Sequence, residues 1–300
     1  MEKIKLSENV TISRIVHGLW RLPDWQLASN DLTTLIEQCI DLGITTFDHA
    51  DIYGNHTCEA LFGKAFTQAN ASREHIQLVS KCGIKLASDK FPERNIKHYD
   101  YSAEYIIKSA ENSLNHLQTD YLDVLLLHRP SPFFNPNEVA KAFSTLKKSG
   151  KVLQFGVSNF APQQYELLES YLEDKLVTNQ VEISPLNLEH FENNNIEFFL
   201  KKRIPPMAWS PLAGGRLFTP KTVQEQRLNK VLTEIAQELD IKNIDKIMYA
   251  WLLKHPALIT PIVGSGKIER ITNAVHSLNI KLSLEQWFQI YTACTGKDVP

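Results

Sequence analysis

The stretch FDHADIYG, residues 47–54, places an acid and a phenol directly after a short apolar run. Three other segments have the same form: VSKCG around Lys81, LLLHRP around His128, and FGVSNF around Ser158 and Asn159. Each polar residue follows an apolar run, so each is predicted to lie at the C-terminal end of a β-strand. Polar groups of different chemistry that meet at several strand ends are typical of the active face of a (β/α)8 barrel.

Strand and helix patterns alternate eight times along the 300 residues of the chain. The predicted strands cover residues 15–18, 45–48, 77–81, 122–128, 154–158, 177–181, 206–209 and 259–263. The predicted helices include residues 31–42, 102–116, 137–148, 162–172 and 225–239, with Asp31 and Ser102 as N-caps. The first strand–helix turn carries no GxGxxG motif, which disfavours an open doubly wound sheet. The sequence therefore predicts an α/β fold, a (β/α)8 TIM barrel.

Several segments add to this alternation. Residues 3–14 are predicted to form an N-terminal β-hairpin, and extra C-terminal helices are predicted at 244–254 and 284–292. Two polar insertions, residues 84–100 and 210–224, follow the third and seventh strands and belong to the active face of the barrel. No linker, internal repeat or low-complexity tract interrupts the pattern, so the whole chain is predicted to be a single barrel domain.

The composition is that of an ordinary globular protein, with 43% hydrophobic and 22% charged residues. A formal net charge of -2 gives no basic footprint for nucleic acid. The four cysteines have neither metal-site nor disulfide spacing, so no metal is expected. The N-terminus lacks the apolar region of a signal peptide, and no run approaches the roughly 20 apolar residues of a membrane span. These features predict a cytoplasmic protein that binds neither nucleic acid nor membrane.

The four polar groups predict a specific chemistry. A free tyrosine has a pKa of about 10, and a nearby ammonium such as that of Lys81 is expected to lower the pKa of Tyr53. Asp48 can keep Lys81 charged and oriented, and a neutral His128 can hydrogen-bond a carbonyl oxygen. Proton delivery to a carbonyl oxygen requires hydride delivery to its carbon. Because no side chain supplies hydride, a nicotinamide cofactor is implied.

These segments resemble the aldo-keto reductase family over essentially the whole chain, and in particular a bacterial branch of about this length. The motifs that carry the resemblance are residues 48–54 with Glu59 and residues 61–65, Ser113-Leu114, residues 120–123, Leu127-His128, residues 156–160, residues 179–182, and residues 209–212. The pattern departs from the family at His49, where threonine is usual. It also departs at Gly264, where the family often has a basic residue before Ser265, and at Asn273-Ala274, where Glu-Asn is expected.

The resemblance implies two groups of site residues. The catalytic group is Asp48, Tyr53, Lys81 and His128. The cofactor-binding group is Gly18, Trp20, Ser158, Asn159, Gln180, Trp209, Ser210, Pro211, Leu212, Gly214, Arg216, Gly264, Ser265, Gly266, Lys267, Arg270 and Asn273. NADPH is the expected cofactor, with NADH possible, and the substrate would be a small-molecule carbonyl compound reduced to an alcohol with Tyr53 as general acid.

Within the cofactor-binding group, the resemblance implies distinct roles. The nicotinamide carboxamide would be bonded by Ser158, Asn159 and Gln180. Trp209 would stack on the nicotinamide ring, and Trp20 would also form an apolar wall of the substrate pocket. The residues expected to wrap the pyrophosphate are Ser210, Leu212, Gly214 and Arg216. The residues expected at the adenosine end, with a cation for the 2′-phosphate, are Ser265, Lys267 and Arg270. As in the family, a monomer is expected, and an oligomer stays open.

Other interpretations of the same residues stay open at this point. Lys81 could form a Schiff base in a barrel aldolase, and His128 with Asp123 and Asp48 could hold a metal. The fold could serve as a nicotinamide-binding regulatory or sensor subunit with little turnover, or as a lyase or hydrolase. The remaining aromatic residues are expected to have structural roles, with His17 at the surface or capping and Trp25 in packing.

Overall fold

The computed structural model describes residues 1–300 and contains twelve strands. They are β1 (Lys3–Lys5), β2 (Thr11–Ser13), β3 (Val16–Gly18), β4 (Thr46–Asp48), β5 (Gln77–Cys82), β6 (Ile84–Lys85), β7 (His98–Tyr99), β8 (Leu122–Leu127), β9 (Val152–Ser158), β10 (Asn179–Glu182), β11 (Met207–Trp209) and β12 (Thr260–Val263). Eight of them close into a barrel in the order β3, β4, β5, β8, β9, β10, β11, β12. This order confirms the predicted (β/α)8 TIM barrel.

Eleven α-helices accompany the strands. They are α1 (Ser29–Asp41), α2 (Cys58–Phe66), α3 (Ala103–Leu117), α4 (Pro136–Lys148), α5 (Pro162–Glu169), α6 (Glu189–Glu192), α7 (Asn195–Lys202), α8 (Val223–Glu238), α9 (Ile244–Lys254), α10 (Ile268–His276) and α11 (Leu284–Thr295). Short 3-10 helices cover Leu22–Trp25, Arg73–His75, Ala213–Phe218 and Ser277–Asn279. No helix has both the length and the apolar character needed to cross a membrane.

The two antiparallel strand pairs lie outside the barrel. The predicted N-terminal hairpin forms between β1 and β2, with Ile4 opposite Ile12. The insertion at residues 84–100 contains a second pair, β6 with β7, in which Ile84 faces Tyr99. This insertion begins directly after β5, at the C-terminal end of the barrel strands, where loops that bear function are found.

Helix ends follow local capping chemistry. The predicted N-cap at Ser102 is confirmed, because its hydroxyl accepts a hydrogen bond of 3.3 Å from the Tyr105 amide. The predicted N-cap at Asp31 is wrong, since α1 begins at Ser29 and Asp31 lies in its first turn. An acidic side chain in the first turn is favoured by the helix dipole without capping it.

Residue contacts divide the chain into two compact units. The first comprises Met1–Gln180 and Gly264–Ile268, and the second comprises Val181–Val263 and Glu269–Pro300. In the second unit, Trp251 and Trp287 stack with ring centroids 5.0 Å apart, and each indole donates a 3.1 Å hydrogen bond to the backbone carbonyl of the other. Reciprocal bonds of this kind satisfy both buried indole N–H groups within the core.

In the first unit, strand β8 of the barrel has the sequence LDVLLL, and all six residues are buried. A strand buried on both faces is typical of a parallel sheet covered by helices. Its neighbour β5 is in register with it, with Lys81 opposite Leu126, and with β4, where Asp48 faces Val79. This register brings the last residues of β4 and β5 to the same end of the barrel.

Candidate active site

Asp48 and Lys81 form a buried ion pair at the C-terminal ends of β4 and β5. The Lys81 ammonium lies 2.8 Å from both carboxylate oxygens of Asp48 and also donates to the His49 carbonyl at 2.7 Å. Only 1% of the Lys81 side chain and 4% of the Asp48 side chain are exposed. A charge buried this deeply requires a partner, and the bidentate carboxylate supplies it.

The Tyr53 hydroxyl accepts a further hydrogen bond of 3.0 Å from the Lys81 ammonium. Because Lys81 occupies an oxygen lone pair, the phenol proton stays available for another acceptor. Burial and the Asp48 carboxylate raise the pKa of Tyr53, and Lys81 offsets only part of that rise. Lys81 lowers this pKa as expected, but burial outweighs it, so the net shift is upward and the phenol is held protonated.

Lys81 keeps its proton for a related reason. Burial alone would lower the pKa of the Lys81 ammonium, but Asp48 and Tyr53 together raise it above its ordinary value. The three residues thus form a chain in which a carboxylate holds an ammonium and the ammonium contacts a neutral phenol. Such a chain leaves one mobile proton, on the Tyr53 oxygen.

His128 follows β8 and completes the group. Its ring centroid lies 5.8 Å from that of Tyr53, with the two rings nearly perpendicular. Burial, followed by the charges of Lys81, Arg129 and Lys97, holds the pKa of His128 well below its ordinary value. The ring is therefore neutral, and its buried Nδ1 atom has no hydrogen-bond partner. The structure brings all four predicted catalytic residues together.

The turn after Tyr53 has an unusual backbone that the sequence analysis did not identify. Gly54, Asn55 and His56 all have positive φ angles, of 58°, 52° and 64°. The insertion at 84–100 supports this turn, because the Lys90 ammonium donates to the Asn55 carbonyl at 2.7 Å. A run of left-handed residues is costly and persists only where surrounding contacts hold it. These contacts fix the backbone that carries Tyr53.

Asp51, between the acid and the phenol, is a second buried carboxyl group. Its side chain is 7% exposed and accepts a 2.6 Å hydrogen bond from the Ser109 hydroxyl on α3. Burial raises the pKa of Asp51 to about 8, so this carboxyl is largely protonated at neutral pH. Its amide also donates to the Lys81 carbonyl, which ties the Tyr53 segment to β5.

Ser158, Asn159 and Gln180 cluster at the ends of β9 and β10, where Ser158 is directly opposite Gln180. Asn159 donates to the Ser158 hydroxyl at 2.7 Å, and the Gln180 amide donates to Asp48 at 2.7 Å. The predicted carboxamide-binding residues therefore adjoin the catalytic ion pair. A hydroxyl and two primary amides provide both donors and acceptors, which is the combination that a nicotinamide carboxamide requires. The residues present fit that group.

The predicted cofactor-binding residues Gly264, Ser265, Gly266 and Lys267 lie beside the end of β3. A methyl group built on Gly264 would stand 3.9 Å from the Gly18 carbonyl and meet nothing closer. The Ser265 hydroxyl accepts a 3.2 Å hydrogen bond from the Lys267 amide, and α10 begins at Ile268. Trp20, just after β3, is 59% exposed. The backbone at Gly264 therefore has room for a ligand beside it.

The second unit carries the other predicted cofactor-binding residues. Trp209 is the last residue of β11, and an irregular segment follows with positive φ at Ser210 and Gly214. The residues of this segment named above are Ser210, Pro211, Leu212, Gly214 and Arg216. The Arg216 guanidinium lies 3.7 Å from Glu225, and the Asn273 amide donates to Asp245 at 3.0 Å. Arg270 is exposed on α10.

The metal interpretation of His128, Asp123 and Asp48 does not fit this geometry. Asp123 lies near the N-terminal end of β8, where its carboxylate bonds the Arg73 guanidinium at 2.7 Å. His128 follows the C-terminal end of the same strand. The two side chains therefore lie at opposite ends of a six-residue strand and cannot share an ion.

Comparison with known proteins identifies the family of this chain. A model of the aldo/keto reductase family matches residues 14–293. The uncharacterized oxidoreductase YcsN of Bacillus subtilis is 52% identical over the full length of both chains. Oxidoreductase YdhF of Escherichia coli is 48% identical, covering 96% of this chain and 95% of its own. A 6-dehydroglucose reductase of Agrobacterium fabrum is 40% identical over the full length of both chains.

A solved structure agrees with the architecture. The crystal structure of a thermostable aldo-keto reductase, in complex with the inhibitor epalrestat, superposes with a TM-score of 0.83 at 27% identity. The match covers 98% of this chain and 100% of the other. The fold is therefore shared across almost the whole length of both proteins.

Proposed function

Because the chain belongs to the aldo/keto reductase family, we propose that it reduces aldehyde or ketone carbonyls with NADPH, using Tyr53 as the general acid. As a member of this family it is a nicotinamide-dependent oxidoreductase that acts on small-molecule carbonyl compounds. One observation carries the assignment of Tyr53: the Lys81 ammonium bonds both the Asp48 carboxylate and the Tyr53 hydroxyl.

In this proposal the cofactor, when bound, supplies the hydride that the carbonyl carbon receives. Tyr53 donates its proton to the carbonyl oxygen as negative charge develops there. Lys81, already hydrogen-bonded to the Tyr53 oxygen, stabilises the phenolate that remains, and Asp48 keeps Lys81 protonated and in place. The raised pKa of Tyr53 keeps the acid loaded at neutral pH.

His128 would orient the substrate. A neutral imidazole can donate one N–H to the carbonyl oxygen, and the depressed pKa of His128 keeps it neutral. The Tyr53 and His128 rings lie edge to face with centroids 5.8 Å apart, and in this proposal both groups would bond the same carbonyl oxygen. Two donors aimed at the atom where charge develops stabilise the transition state more than the ground state.

The cofactor would be held by the residue groups that fit its parts. The carboxamide would be bonded by Ser158, Asn159 and Gln180. The phosphate at the adenosine end would be received by residues 264–267. Lys267 and Arg270 are both exposed cations near the start of α10, and a 2′-phosphate is the part of NADPH that such cations would favour. The preference for NADPH over NADH rests on these two residues.

A sugar aldehyde is the substrate class to test first. The reductase of Agrobacterium fabrum, 40% identical over its whole length, is named for 6-dehydroglucose. We extend that class to this chain as part of the proposal. The regulatory or sensor alternative is not favoured, because the relatives at 48–52% identity are named as oxidoreductases.

The proposal is tested by following NADPH and NADH consumption against a panel of aldehydes, ketones and dicarbonyls that includes a 6-aldehydo sugar. We expect turnover with at least one aldehyde, faster at low concentrations of NADPH than of NADH. Tight NADPH binding with no turnover on any carbonyl would favour the sensor alternative. Binding of neither cofactor would overturn the proposed function.

A further inference from the structure

The short helical turn Leu22–Trp25 contacts two glycines on either side of the site. A methyl group built on Gly54, next to Tyr53, would lie 2.7 Å from the Cγ atom of Pro23. A methyl group built on Gly266 would lie 2.6 Å from Cγ and 2.7 Å from Cδ2 of Trp25. Real Cβ atoms do not approach other atoms this closely, so both glycines are required by the turn that packs on them.

The contact at Gly266 is a matter of space and not of backbone conformation. Gly54 has a positive φ angle, but Gly266 does not, so its backbone is open to any residue. The missing Cβ lets the segment 264–267 lie directly against the Trp25 indole. This contact joins two segments that lie at nearly opposite ends of the sequence.

The indole itself is held firmly from behind. His17 packs against Trp25 edge to face, with ring centroids 5.5 Å apart. His17 is 2% exposed, and its Nδ1 atom is 3.6 Å from the Cys39 thiol. Leu22, which begins the turn, is 4% exposed. Trp25 therefore rests on the core of the first unit and presents its ring to Gly266.

We propose that Trp25 is a positioning residue: it holds the segment 264–267 in the conformation that binds the phosphate at the adenosine end of the cofactor. The inference rests on the proposed function, which assigns this segment to cofactor binding. Gly264 and Lys267 are exposed, and the hydrogen bond from the Lys267 amide to the Ser265 hydroxyl is local to the segment, whereas the Trp25 contact ties it to the core. Without the indole, the segment would have to be ordered by the ligand, and that ordering would weaken binding. The chemical step, carried out by Tyr53, would be unaffected.

The test uses two variants that disturb the contact from its two sides. Trp25→Ala removes the ring, and Gly266→Ala adds a methyl group that the ring cannot accommodate. We expect each to raise the NADPH dissociation constant, measured by calorimetry, and the NADPH KM by about 10- to 100-fold. For Trp25→Ala, we expect kcat at saturating NADPH to stay within about threefold of wild type, and Trp25→Phe should give an intermediate NADPH dissociation constant.

Phe143→Leu is the matched control. It removes an aromatic contact elsewhere in the first unit, where Phe143 stacks on Phe155 with centroids 3.9 Å apart. It should lower thermal stability and leave the NADPH dissociation constant unchanged. A merely structural role for Trp25 predicts that Trp25→Ala behaves like this control.

The outcomes separate the inference from the proposed function. An unchanged NADPH dissociation constant in both Trp25→Ala and Gly266→Ala, with wild type binding normally, overturns the inference alone. Loss of kcat with an unchanged KM also overturns it. If wild type binds neither cofactor, the proposed function fails and the inference fails with it.

Discussion

Two ion pairs in the first unit have nearly the same separation between their charged atoms and lie at opposite ends of the barrel strands. Asp48 and Lys81, here called the upper pair, lie 2.8 Å apart at the C-terminal ends of β4 and β5. Arg73 and Asp123, here called the lower pair, lie 2.7 Å apart near the N-terminal ends of β5 and β8. Each pair also has a tyrosine beside its cation: Tyr53 by Lys81 and Tyr121 by Arg73.

The difference lies in where the remaining hydrogen bonds go. The Arg73 guanidinium also donates to the carbonyls of Ile76 and Tyr121, and Asp123 also accepts from the Leu78 amide. The other hydrogen-bond partners of this pair are these backbone groups and the Thr119 hydroxyl, which accepts from the guanidinium at 2.8 Å. None of them titrates near neutral pH. The remaining hydrogen bonds of the lower pair are therefore made with the protein itself, and the pair serves stability.

The upper pair instead contacts a group that can transfer a proton. Lys81 bonds the Tyr53 hydroxyl, and the neighbouring His128 ring has a buried nitrogen without a partner. The comparison teaches that a buried ion pair does not itself identify an active site. A titratable group on the cation, with an unsatisfied polar atom in a neighbouring side chain, distinguishes chemistry from structure.

The largest predicted effect compares the two tyrosines. Tyr53→Phe should lower turnover by about 10²- to 10⁴-fold, because it removes the proton donor, while leaving NADPH affinity nearly unchanged. Tyr121→Phe should leave turnover within about twofold, because only its ring and backbone contact Arg73. Steady-state kinetics and calorimetric binding on both variants check this. Comparable turnover in the two variants would remove Tyr53 from the role of general acid.

A smaller effect separates the pH dependence of activity from that of stability. His128 titrates well below 6.5, Asp51 at about 8 and Tyr53 above 10, so kcat/KM should change little between pH 6 and 7.5. Burial lowers the pKa of His17 to about 4. The unfolded state then takes up a proton before the folded state does, so stability is lost as pH falls from 6.5 to 4.

For His17 alone, that loss amounts to about 3 kcal/mol of unfolding free energy between pH 7 and pH 4. Burial also lowers the pKa of His49 well below its ordinary value, which adds to the loss in the same direction. Urea unfolding of wild type and His17→Asn at several pH values measures the slope due to His17. A variant with the same slope as wild type would show that His17 is not the group responsible.

The sequence located the upper pair because each of its residues ends an apolar strand in a recognisable motif. The fold followed from the same alternation, and the strand ends differ from the prediction by one or two residues. The lower pair was not predicted, because Arg73 and Asp123 are 50 positions apart and meet only through the register of β5 with β8. Neither residue lies in a motif with an evident partner.

Quantities that depend on burial were also beyond the sequence. The net direction of the Tyr53 pKa was wrong, because proximity to Lys81 was visible in the motif and the cost of desolvation was not. His17 was expected at the surface or as a capping residue but is 2% exposed and packs beneath Trp25. Trp25 was expected to pack, but its partner Gly266 is known only from the fold.

The most direct test of the account measures kcat and unfolding free energy for Asp48→Asn and Asp123→Asn side by side. Each substitution leaves a buried cation without its counter-charge, so both should lose on the order of 3–5 kcal/mol of stability. At a temperature where both are folded, Asp48→Asn should lose about 100-fold or more in kcat, and Asp123→Asn should retain wild-type turnover. Equal loss of turnover in both variants, or full activity in Asp48→Asn, would contradict the division between a catalytic pair and a structural one.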